Sequence, residues 1–389
     1  MPTLTEKTIQ NVGLVAALQL SAAVISTLTL VVLARLLTPY DFGVVAVAGI
    51  ALSFIGQLSD FGLSSAVVQR PDPSGRAVDV AATIRLLLSV VLILSTFVIA
   101  APVADLIAVP AAANVIRVSS LLWLLAGAGF ASNALLWKEL RFRALAVIGV
   151  VTSVAGAFIS IVLALGGFSY WSIVLGNIGS AAVTLCALWA VRPWRLRFAF
   201  DRTLARQFLS FGKHVFVLGI LVFAFQNVDN IAVAKMLGVS ALGFYYLAYK
   251  WATVVSGFVT RTVGRVLFPT YSSIQDQPAR LRRGFQSSFR AISLASFPAQ
   301  IGILLVAPEF VTLVLGANWV PAIRPLQILT FLGLMTVLLQ PFGDLFLATG
   351  RAAYLSRTNI LNVALIVPTW SSTAAWLIRL NGCCPVTIS

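Results

Sequence analysis

Leu33-Ala34-Arg35-Leu36-Leu37, with Phe42-Gly43 close behind, returns as Val233-Ala234-Lys235-Met236-Leu237 with Leu242-Gly243 behind it. The offset is 200 residues, from 33 to 233, and small, cationic and apolar positions keep their places in both copies. Each copy closes one long apolar run and opens the next. The repeat therefore marks the same corner in two halves of one fold, which we place at 1–200 and 201–389.

A helix needs about 20 apolar residues to cross a bilayer core of roughly 30 Å. Working outward from the repeat, such runs fall near 12–37, 42–67, 80–104, 115–137, 144–165, 169–190, 211–237, 242–268, 284–307, 324–348 and 352–378. Each should be helical, because backbone groups exposed to lipid must be hydrogen-bonded within their own segment. The reading is an all-α membrane protein with about eleven transmembrane helices, the last interrupted by Pro368 and Ser371-Ser372-Thr373. Six runs separate the two copies of the corner, an even number, so both halves point the same way. They should be related by an axis along the membrane normal, with a central cleft between them. Nothing in the second half answers to the sixth run, so that bundle is expected to lack its sixth helix, with an atypical tail at 368–389.

The loops alternate in charge. Those after runs two, four, six, eight and ten carry Arg70 and Arg76; Lys138, Arg141 and Arg143; Arg192 to Arg206; Arg280, Arg282 and Arg283; and Arg351 and Arg357. The loops at 38–41, 105–114 and 166–168 carry no Lys or Arg. Basic loops stay cytoplasmic, which puts the N-terminus in the cytoplasm as well. The chain of 389 residues is 59% hydrophobic and 10% charged, far from the roughly 25% charge of a soluble domain. Its net charge of +15 sits in short loops, leaving no compact basic domain for nucleic acid. Cys186, Cys383 and Cys384 have no metal-ligand spacing, and His214, the one histidine, has no partner for triad or metal chemistry. No GxxxxGK[ST] loop is present to support ATP hydrolysis.

Charges deep in a bilayer usually face a cavity or a partner. In the second run Ser53, Gln57, Asp60 and Ser64 follow i, i+4, i+7, i+11 spacing, one stripe about 60° wide at 100° per residue. In the eighth run Lys250, Arg261 and Arg265 also fall within about 60° of one another, a cationic ladder with no acid on its own helix. The seventh run carries Gln226, Asn227, Asp229 and Asn230. Asp60 and Asp229 read as the only acids deep enough to partner the ladder. Mutual pairing or snorkelling to the interface would account for any one of these residues. The ladder as a set calls for an anion, and Arg and Lys are the usual partners of phosphate.

The stretch Val32 to Gly43, then Gln57-Leu-Ser-Asp-Phe-Gly-Leu63 through Val68-Gln69-Arg70, resembles the opening of the polysaccharide transporter family. That family holds O-antigen and exopolysaccharide repeat-unit flippases, within the multidrug/oligosaccharidyl-lipid/polysaccharide exporter superfamily. Trp137-Lys-Glu-Leu-Arg-Phe-Arg143, Val266-Leu-Phe-Pro-Thr-Tyr271 and Arg280-Leu-Arg-Arg283 are similar to its later signatures, and the similarity runs from about residue 5 to about 367. The resemblance implies two six-helix bundles around a central cavity, working by alternating access in the bacterial inner membrane. It implies an undecaprenyl-pyrophosphate-linked oligosaccharide as cargo, membrane lipids as surroundings, and polysaccharide polymerase and assembly proteins as partners. On that footing Lys250, Arg261 and Arg265 would hold the carrier's phosphate. Ser53, Gln57, Asp60 and Asn227 would line the cavity, and Asp229 is a candidate for H⁺ or Na⁺ coupling with no other cofactor.

Two rivals remain. A drug extruder of the same superfamily would favour an acidic or aromatic cavity, which the cationic ladder argues against. A membrane glycosyltransferase or polymerase would need a sizeable extramembrane loop with paired acids. The longest loop, about 190–210, is basic, and the chain contains no Asp-x-Asp, so the chain reads as a transporter and not an enzyme.

Overall fold

An apolar run in lipid has one local way to satisfy its backbone, and the computed structural model takes it: every regular element among the described residues is helical. The structure describes residues 4–60, 76–194, 223, 227–254, 256–257, 267 and 270–349. The eleventh run, the tail 368–389 and the boundary expected near 200 lie outside them. Contacts divide the chain into two units, Met1–Asn227 and Val228–Ser389.

The first unit holds α1 (Leu4–Leu36), α2 (Pro39–Asp60), α3 (Arg76–Leu106), α4 (Pro110–Ser119), α5 (Leu121–Lys138), α6 (Phe142–Leu165) and α7 (Trp171–Val191). Helix α6 packs against α7 and α1, α3 packs against α5 and α4, and α2 lies on α4. Small residues let these backbones approach, the common solution where lipid supplies no hydrophobic drive between helices. A Cβ on Gly176 of α7 would fall 1.8 Å from Ser160 Oγ and 3.2 Å from Ser160 Cα of α6. One span differs from its reading. The fourth run begins not at 115 but at Pro110, whose missing N–H costs nothing at a helix start, and it divides into α4 and α5 at Ser120.

The ends of these helices sort by charge. At one end Asp79 accepts a bond from Trp194 Nε1 at 2.9 Å, and Glu139 meets Arg192 Nε at 2.8 Å, gathering the basic corners. At the other, Thr38 and Asp41 form a capping box, with Thr38 N donating to Asp41 Oδ2 at 2.8 Å and Asp41 N to Thr38 Oγ1 at 3.3 Å. The other oxygen of Asp41 accepts from the Ser169 hydroxyl and from Tyr170 N, so the bare corners 38–41 and 166–170 are tied together.

The second unit holds α8 (from 228, within a helical stretch 227–237), α9 (Val239–Ala252), α10 (Pro278–Phe310) and α11 (Ile323–Ala348). A π turn, Val311–Leu315, and a 3₁₀ turn, Ala317–Ala322, join the last two. Helix α11 packs on both α10 and α9, tightly at Gly333, where a Cβ would meet the Ala252 carbonyl at 2.7 Å.

The sequence repeat is also a structural one. Both copies are a helix, a short break and a second helix, and both bury the same positions: Ala34 and Ala234 are each 2% exposed, Phe42 1% and Leu242 0%. The break is made by different chemistry. Thr38 supplies a hydroxyl cap, while its counterpart Gly238 takes φ 86°, a conformation open to glycine. Among the described residues eight stretches are long and apolar enough to cross a membrane, answering to runs one to six, nine and ten. Their outward faces carry exposed Leu94, Val98, Phe158 and Leu305, as lipid-facing helices do.

Candidate functional site

Asp229, near the start of the second unit, is the described candidate with the most partners. Asp229 lies on the 227–237 helix, and its Oδ2 accepts the Tyr245 hydroxyl of α9 at 2.7 Å while Oδ1 accepts Asn230 Nδ2 at 3.1 Å. Tyr249, one turn beyond Tyr245, stacks on its ring with centroids 6.5 Å apart. The carboxylate thus sits among aromatic hydroxyls, and among the described residues it meets no cation.

Lys250 turns elsewhere. It follows Tyr245 by five residues, about 140° round the helix, and its Nζ lies 5.3 Å above the Tyr246 ring. It is exposed and stands in the last turn of α9, and most of the eighth run beyond Gly257 lies outside the described residues. Arg261 and Arg265 lie outside the described residues, as do the side chains of Gln57 and Asp60, both on α2. Ser53 back-bonds to the Ile50 carbonyl at 2.9 Å, and Asn227 Nδ2 donates to the Phe223 carbonyl at 3.0 Å, so both spend a donor on their own helix.

Sequence reasoning missed three residues. Asp229 and Asp60 are not the only deep acids: Asp344 of α11 is 6% exposed, with Gln340 Nε2 3.3 Å from each oxygen. An acid inside the tenth apolar run was itself the signal. Tyr245 carried no signal in the sequence, because its partner lies 16 residues back on another helix. Gln300 of α10 is 1% exposed with neither amide atom hydrogen-bonded, and a single polar residue in an apolar run gives no more signal than that. Among the described residues no group of His, Cys, Asp or Glu could hold a metal ion.

Long apolar helices, small-residue crossings, a repeated corner and buried acids inside helices define a multi-span membrane protein of a two-repeat transporter fold. Residues 32–324 match the family described as polysaccharide biosynthesis protein, and the chain belongs to that family. It is similar to the lipopolysaccharide biosynthesis protein WzxC of Escherichia coli K12, 27% identical over 372 residues, covering 94% of this chain and 75% of that one. It is 30% identical over 321 residues to the succinoglycan biosynthesis transport protein ExoT of Rhizobium meliloti, covering 82% and 65%.

Two solved structures share the fold. The lipid II flippase MurJ, in an inward closed conformation, gives a TM-score of 0.72 at 11% identity, over 91% of this chain and 80% of that one. An inward-facing multidrug resistance MATE family transporter of the MOP superfamily gives 0.68 at 16%, over 90% and 87%.

Proposed function

We propose that this protein is a flippase for lipid-linked oligosaccharides, carrying the head of a polyprenyl-pyrophosphate carrier from the cytoplasmic to the outer leaflet for polysaccharide biosynthesis. The observation that carries this reading is family membership across residues 32–324; the transport name of a relative and a fold shared with a lipid flippase support it. The protein works by alternating access in the bacterial inner membrane with its N-terminus cytoplasmic, and it is a transporter rather than an enzyme. Lys250, Arg261 and Arg265 take the pyrophosphate in a central cavity. Ser53, Gln57, Asp60 and Asn227 face sugar or water there, and Asp229 takes the coupling H⁺ or Na⁺. Polymerase and assembly proteins receive the product outside.

The test is reconstitution of the full chain in proteoliposomes with a fluorescent polyprenyl-pyrophosphate oligosaccharide, reading the fraction that becomes accessible from the far leaflet. Flipping should be abolished by Arg261→Ala and partly kept by Arg261→Lys, because a cation is retained but the bidentate fork is lost. Normal flipping by an Arg261→Ala, Arg265→Ala double variant would remove the phosphate assignment. Accumulation of a cationic dye with no lipid flipping would favour the drug-extruder reading, which the shared multidrug-transporter fold keeps in view.

A further inference from the structure

Helix α10 carries Arg280, Arg282, Arg283 and Arg290, and its one acid, Glu309, stands at the opposite end. Arg283 and Arg290 are seven residues apart, within about 20° of one face and about 10 Å along the axis. Gln286 and Ser287 lie between them on the same side, and both are exposed. Beyond Arg290 the stripe turns apolar, with Leu294 68% exposed and Phe297 40%.

At this change of polarity lies a surface groove of about 510 Å³, lined by Phe289, Arg290, Ser293, Leu294, Phe297 and Pro298. The Ser293 hydroxyl makes no hydrogen bond, and among the described residues the exposed Arg290 meets no carboxylate. A cation about 10 Å past the water-side arginines, at the mouth of an apolar furrow, needs an anion that carries its own apolar chain. A soluble anion would leave the furrow bare, and an uncharged lipid would leave Arg290 without a partner.

We propose that this groove is a binding site for an anionic glycerophospholipid of the surrounding leaflet. Its phosphate lies between Arg290 and Arg283, and one acyl chain runs along Leu294 and Phe297. The occupant is a bulk phospholipid rather than the transported carrier. The groove belongs to one face of one helix within the second unit, open along its length, and it uses none of the residues assigned to the cavity. The site stands whether or not the flippase reading holds.

Native mass spectrometry of the delipidated full chain, titrated with phosphatidylglycerol or phosphatidylcholine, tests this. Phosphatidylglycerol should bind preferentially at one site. Arg290→Gln should weaken that binding about fivefold, given roughly 1 kcal/mol per cation near an anionic lipid, while Arg290→Lys keeps most of it. Arg324→Gln, at the far end of the unit, should change nothing. Leu294→Trp, which fills the furrow and leaves the charge, should also weaken it. Equal phosphatidylglycerol binding by wild type and Arg290→Gln would overturn the site. Binding of undecaprenyl phosphate at the same residues with none of phosphatidylglycerol would overturn the choice of occupant.

Discussion

Tyr245 donates its hydroxyl to a carboxylate that composition alone would leave surrounded by lipid. A hydrogen bond to a charged group contributes about 1.5–3 kcal/mol, and removing the donor strands the acceptor. Tyr245→Phe should therefore lower stability in detergent by roughly that amount and slow transport. Asp229→Asn keeps the acceptor geometry but removes the charge, so it should be well folded and insensitive to the H⁺ or Na⁺ gradient. A gradient-dependent Asp229→Asn protein would take Asp229 out of coupling. Asp41 shows the contrasting case. It is a buried acid whose oxygens are all engaged at a corner, holding α2 to the 166–170 turn, and its work there is structural. Sequence places Asp41 in a loop and Asp229 in a span; their partners distinguish a pin from a candidate site.

Helix pairs are set by where side chains are absent. Gly176 sits against Ser160 so closely that any Cβ forces α6 and α7 apart, whereas a Cβ at Gly149 meets nothing within 4 Å. Gly176→Leu should lose about 1–3 kcal/mol or more by overpacking, visible as a lower melting temperature and aggregation on solubilisation. Gly149→Ala should be neutral or stabilising by about 0.5–1 kcal/mol, since alanine is the better helix former. Equal behaviour of the two would show that the α6–α7 crossing is looser than its geometry. Helix existence was legible in sequence because hydropathy decides it residue by residue. Helix ends were less so: Pro110 and Ser120 reshape the fourth run through local backbone chemistry.

For the molecule as a whole, the charge of its corners predicts an orientation. The corners near Asp79, Glu139 and Arg192 meet at one end of the first unit, and 38–41 meets 166–170 at the other. In a chain with Cys186, Cys383 and Cys384 replaced by serine, Ser74→Cys should label from the cytoplasm and Asn114→Cys from outside. Labelling of both from one side would sink the topology. Sequence by itself determined the solvent of this protein, its helical class, most of its spans and its two-fold repeat. Each of these is written in local composition or in the chain's likeness to itself 200 residues on. Tertiary structure alone decided which polar residues are partners across elements, Asp229 with Tyr245 and Asp41 with Ser169, and that Asp344 is buried. A period of 100° per residue places side chains on one helix, but their partners depend on how neighbouring helices cross, and that is set by close packing at glycines and serines distant in sequence.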